Sequence, residues 1–204
     1  MVDVKYWGPS GWKLLHTLSF EEGHIAEKKK LFSVLADVLP CKYCRMSTKQ
    51  FVKEMPVTDN ISLWLYNLHN RVNKKLHDQH LEDPKIPNPA LAPTFDEVSK
   101  RFKNAENPRQ GKDFLYAVAF NFDRKKHNVS SHRIFWEALS TIYPELKVPS
   151  LTTNRKYLDD VREMLGDKRL TSQVYASVKT HKSGCSKKVF RGKTCRKRNL
   201  NKNK

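Results

Sequence analysis

Between Asp83 and Pro93 the chain carries Pro84, Pro87, Pro89 and Pro93, and no helix passes through that spacing. What lies on either side must fold as separate sets of elements, and both sides read as helix. Upstream, Gly8-Pro9-Ser10 predicts a turn with Ser10 as N-cap, followed by Trp12, Leu15, His16 and Ser19 at i, i+3, i+4 and i+7. A second stripe holds Leu31, Phe32, Val34, Leu35, Val38 and Leu39 and ends at Pro40. Cys41 to Cys44 opens a third helix toward Val52, and Asn60 caps a fourth that buries Ile61, Leu65, Leu68, Val72 and Leu76. Downstream, Thr94 with Glu97 forms a capping box, and further helices are expected over 112–126, 131–143, 154–165 and 170–179. No apolar run alternates as a strand does. The fold class is all-α, divided as 1–95, 96–180 and a basic tail over 181–204.

The two helical regions echo each other. Gly11 to Phe20 (GWKLLHTLSF) aligns with Gly111 to Phe120 (GKDFLYAVAF), and Leu31 to Pro40 (LFSVLADVLP) with Phe135 to Pro144 (FWEALSTIYP). Lys112 and Tyr116 then stand where the first copy has Trp12 and His16, and Glu145 and Val148 where it has Cys41 and Cys44. The expectation is a degenerate second copy that kept the helical scaffold and lost the chemistry.

Charge narrows the class. The chain has 39 Lys and Arg against 21 Asp and Glu, a net charge of +18. Much of the excess sits from Lys179 to Lys204, a stretch with no acid, which reads as a solvated segment able to touch acidic proteins or nucleic acid. No apolar run is long enough to span a bilayer, and Met1 to Lys13 lacks the basic-then-apolar order of a secretion signal, so a cytoplasmic setting is expected. With 4 cysteines in 204 residues the chain is no disulfide-dense scaffold.

The spacing of the cysteines says more than their number. In Leu39-Pro40-Cys41-Lys42-Tyr43-Cys44 the pair sits on a first helical turn, where unpaired N–H groups and the helix dipole favour thiolate. Lys42 and Arg45 add positive charge. Such a pair exchanges two electrons with thiols or forms half of a zinc site, and only Cys185 and Cys195 remain to complete the latter. In Trp64 to Leu76, His69 and Asn73 are i and i+4, and Asn70 and Asn73 are i and i+3. This polar cluster beside an apolar stripe needs partners, which a flat heteroaromatic ring would supply at its edge. Lys74 and Lys75 follow one turn on, suited to a diphosphate. The alternative class is a non-catalytic basic helical protein that binds nucleic acid or zinc.

Taken in order, WGPSGWKLLH, LPCKYC and LHNRVNKKL resemble the Erv/ALR family of FAD-linked sulfhydryl oxidases, over roughly residues 5 to 95. The Trp-Gly-Pro opening and the long C-terminal region are most similar to forms from large DNA viruses, which would place the protein in a viral factory or virion. The resemblance implies a four-helix bundle with a short fifth helix and noncovalent FAD. It implies FAD contacts from Gly8, Trp12, His16, Phe20, Trp64, His69, Asn70, Val72, Asn73 and Lys75, with no metal. Cys44 would be the flavin-proximal thiolate and Cys41 the outward cysteine, with Cys185 and Cys195 as a shuttle pair. Substrates would be protein dithiols and O2, the product a disulfide and hydrogen peroxide, and the assembly a homodimer. The sequence departs from the family at Leu39-Pro40, where Tyr-Pro is usual, and at His77-Asp78, which replaces Gly-Lys.

Overall fold

The computed structural model describes residues 1–84, 86–103 and 108–182, and among these every regular element is helical apart from one isolated bridge between Val2 and Lys182. The helices are α1 (Val4–Phe20), α2 (Ile25–Val38), α3 (Lys42–Glu54), α4 (Ile61–Glu82), α5 (Phe95–Phe102), α6 (Lys112–Asn121), α7 (Val129–Ile142), α8 (Asn154–Met164) and α9 (Thr171–Thr180). Several boundaries follow directly from caps. Asn60 accepts from the Leu63 N–H at 3.2 Å, Thr94 and Glu97 form a reciprocal capping box, and α2 stops at Val38, before Pro40. Among the described residues no helix is long and apolar enough to cross a membrane.

Helix α1 departs from the expected turn at Gly8-Pro9-Ser10. It begins seven residues earlier, with the Asp3 carboxylate accepting from the Lys5 N–H at 2.9 Å, and Pro9 lies inside it. Ser10 caps a different helix. Its hydroxyl donates to the Gln110 carbonyl at 2.9 Å and accepts from the Phe114 N–H at 3.3 Å. Gly111, which precedes α6, has no side chain to cap with, so α1 supplies the acceptor that the first turn of α6 lacks.

Helices α1 to α4 pack as a bundle, with α5 laid against α1 and α4. Both expected regions contribute to one core: Leu14, Leu18, Leu31 and Phe32 are buried with Phe114, Leu115, Phe135 and Trp136. The join between them is reciprocal. A Cβ on Gly11 would sit 3.1 Å from the Phe114 ring, and one on Gly111 would sit 2.6 Å from Leu14. In the internal alignment Gly11 matches Gly111 and Leu14 matches Phe114, so each glycine receives the other's partner. Likewise α2 lies along α7, running antiparallel, with Ser131 donating to Asp37 at 2.9 Å. Contact of i with j and of j with i is the signature of two-fold pairing, here inside one chain.

In the second region α8 packs against α6, and α9 against both α8 and α6. Tyr116 donates to Asp167 at 2.9 Å, and Lys112 and Arg169 pair with the same carboxylate at 2.8 and 2.6 Å. The Arg169 hydrogen bond, with Lys112 and Tyr116 beside it and against the effect of burial, holds the Asp167 carboxyl far below the usual range. The positions aligned with Trp12 and His16 are thus committed to an internal ion cluster.

Two substitutions test this seam by denaturant unfolding. Ser10→Ala is expected to cost about 1 kcal/mol through the lost cap of α6. Gly111→Val should cost about 1–3 kcal/mol by overpacking against Leu14. Midpoints unchanged from the parent protein would show that the seam is not a stabilising contact.

Candidate redox and flavin site

A cavity of about 400 Å³ opens between α1, α3 and α4. Helix α1 lines it with one face, Gly8, Gly11, Trp12 and Leu15, and α4 with another, Leu68, His69, Val72, Asn73 and Leu76. Both sets recur at helical spacing, which is why they converge. Cys44 and Thr48 enter from α3, and Leu35 and Leu39 close the floor. Two lining residues were given no contact in the sequence reading. Trp7 opens the WGPSGWKLLH motif, and its buried Nε1 has no hydrogen-bond partner among the described residues. Phe114 arrives from α6, so the second region forms part of the wall.

At one side of the cavity the Trp12 and His69 rings stack with centroids 3.7 Å apart and 10° between planes. His16 Nε2 lies 3.0 Å from His69 Nδ1, and Phe102 of α5 covers His16 at 5.2 Å. Burial lowers the His16 pKa to about 4, and burial together with the neighbouring His16 lowers that of His69 to about 3. Both rings are therefore neutral near pH 7 and share a single proton across their contact.

The CxxC turn is built at the start of α3. Cys41 is its N-cap, and the Cys41 sulfur accepts from the Cys44 N–H at 3.3 Å. Cys44 is half-buried in the cavity wall, whereas Cys41, expected to face outward, has 0% of its surface exposed. The N-terminal residues run beside it: Met1 Sδ accepts from the Lys42 N–H at 3.4 Å, and Asp3 N–H donates to the His181 carbonyl at 2.8 Å.

Other expected contacts lie elsewhere. Trp64 is outside the cavity, donating from Nε1 to the Met55 carbonyl at 2.9 Å and packing on Phe32. Phe20 packs on Phe95, fastening α5 to α1. Lys75 donates to Ser47 in a groove between α3 and α4. Asn70 faces a shallower hollow with Asn73, Lys74, His77 and Asn88, which meets the cavity at Asn73 and Pro89. Cys185 and Cys195 lie outside the described residues.

Residues 9–90 match the Erv1 / Alr family. The match covers less than half of the chain. An 84-residue stretch is 26% identical to the mitochondrial FAD-linked sulfhydryl oxidase ERV1 of Saccharomyces cerevisiae, covering 36% of this chain and 44% of that protein. The chain therefore spans less than half the length of that relative. No solved structure matches the chain. The Erv1/Alr segment holds every cavity residue named above from α1 to α4 except Trp7 and Gly8, and it excludes Phe114.

The buried neutral histidines give the fold a pH dependence. An unfolded histidine binds a proton near pH 6.5, while folded His16 and His69 resist one until about 4 and about 3. Their stabilising contribution is complete above about pH 6.5 and is lost as pH falls toward those values, by up to about 1.4 kcal/mol per pH unit for each. Unfolding free energies measured from pH 7 to 5 should fall, and His69→Gln should flatten the slope. Equal slopes in both proteins would contradict the assignment.

Proposed function

We propose that the protein is an FAD-linked sulfhydryl oxidase that makes disulfides in substrate proteins. The observation that carries this is the place of Cys44: the second cysteine of a helix-capping CxxC forms the wall of a largely apolar cavity lined by family-matched residues of α1 and α4. The cavity suits a flavin ring. Its volume is in the range of small-molecule sites, its faces are aliphatic and aromatic, and His69, Asn73 and the unpartnered Trp7 Nε1 offer polar groups to a ring edge. Asn70, Lys74 and His77 in the adjoining hollow would hold the remainder of the cofactor.

The residues divide the work. A substrate thiolate attacks a Cys41–Cys44 disulfide at Cys41, and a mixed disulfide forms as Cys44 leaves as thiolate. A second substrate thiolate then displaces Cys41, giving a substrate disulfide and a reduced pair. Burial of Cys41 means that a protein substrate gains access only when the covering residues give way. FAD held in the cavity would supply the two-electron transfer from this dithiol to O2, with hydrogen peroxide as the product.

Two further parts belong to this reading. Residues 111–144 are a degenerate copy that stands where the second subunit of a homodimer would, a reading supported by the reciprocal contacts of Gly11 and Gly111. Cys185 and Cys195 would be a shuttle pair, a reading supported by the bridge of Lys182 to Val2, which neighbours the Met1 whose sulfur accepts from the Lys42 N–H. The basic charge of that segment would favour acidic partners, protein or nucleic acid.

The purified protein is expected to be yellow, and its flavin bands should bleach when a dithiol is added without oxygen. Cys44→Ser should keep the colour and lose the bleaching. A protein that stays colourless after refolding with FAD would overturn the reading. Replacing Cys185 and Cys195 with serine should slow turnover of protein thiols and spare that of a small dithiol; unchanged turnover of both removes the shuttle.

A further inference from the structure

Arg45, directly after the CxxC, is half-buried and folds back over its own turn. Its backbone N–H donates to the Cys41 carbonyl at 2.9 Å, and Nη1 donates to the Leu39 carbonyl at 2.8 Å. One side chain thereby ties the residues before the motif to the residue after it and carries its charge alongside both cysteines. Lys42, the other cation of the motif, is exposed.

A half-buried guanidinium ordinarily finds a carboxylate, and Asp37 at the end of α2 is close by. Asp37 is already engaged, by Lys49 at 2.7 Å and by the Ser131 hydroxyl at 2.9 Å. Among the described residues Arg45 forms no ion pair. Burial draws its pKa down, while the charges of Cys41, Cys44 and Asp37 oppose that shift. The titratable groups facing it from the second region are His127 and His132. Burial foremost lowers both, His132 to about 3, and the Arg45 charge pushes in the same direction. They are neutral near pH 7, so they neither quench the guanidinium nor rival it.

We propose that Arg45 is the positioning residue of the CxxC couple: it clamps the Leu39–Cys41 turn and supplies the uncompensated charge that keeps the couple's attacking sulfur ionised at neutral pH. This rests on the thiol oxidase reading, since only exchange chemistry needs that thiolate. The second region has a share in the arrangement, because the Ser131 hydroxyl engages the Asp37 carboxylate.

The test is the pH profile of iodoacetamide alkylation of the reduced full-length protein, with peptide mass spectrometry separating Cys41 and Cys44 from Cys185 and Cys195. Arg45→Met should raise the midpoint of the more reactive motif cysteine by about 1 unit, and Arg45→Lys should recover much of that shift. Asp37→Asn, which removes a negative charge and leaves Arg45 in place, should move the midpoint down, and it serves if Arg45→Met fails to fold. An unchanged profile in folded Arg45→Met, or an upward shift in Asp37→Asn, overturns the proposal. Flavin bleaching by dithiol, measured on the same samples, separates the two readings. Bleaching with an unshifted profile removes the role of Arg45 and keeps the oxidase, and a shifted profile in a flavin-free protein does the reverse.

Discussion

The close approach of α1 and α6 at Gly11 and Gly111 is the contact on which the rest of the molecule depends. No side chain larger than hydrogen fits at Gly111 without displacing Leu14. That proximity brings the Phe114 ring against Gly11, lets Ser10 cap α6, and carries Phe114 into the cavity wall. A residue outside the Erv1/Alr match thus helps shape the cavity. The same approach sets α2 along α7 and brings Ser131 to Asp37, two steps from the CxxC turn. Packing and cavity geometry are therefore coupled through a few contacts of short side chains.

Much of the helical framework was legible because it is written locally. Asn60 and the Thr94–Glu97 box cap as expected, and proline ends α2. Where the sequence misled, a long-range contact overrode a local signal. Gly8-Pro9-Ser10 has the composition of a turn, yet Asp3 caps the helix earlier and Ser10 serves a helix a hundred residues away. Helix α6 ends at Asn121 rather than near Lys126, with the Phe122 ring turned down against His132 and Tyr157.

The site divides in the same way. Trp12, His69, Val72, Asn73 and Cys44 were readable because helical spacing places each motif on one face, and they meet in the cavity. Trp64 and Phe20 sit within the same motifs but on faces that turn to Met55 and to α5. Phe114 carried no motif at all. Its only trace was the internal echo that aligns it with Leu14, a pattern that gives the pairing of copies and not the identity of a cavity wall. The burial of Cys41 was also invisible, since Met1 reaches the motif from forty residues upstream.

The central claim is that the cavity holds a flavin in direct contact with the Cys44 sulfur. The most direct measurement is the long-wavelength absorbance of FAD-loaded Cys41→Ser, in which Cys44 stands alone as thiolate. A broad charge-transfer band beyond the flavin's own absorption, lost when Cys44 is also replaced by serine, is the expected result. Bound flavin with no such band, or with a band that survives the loss of Cys44, would contradict the account.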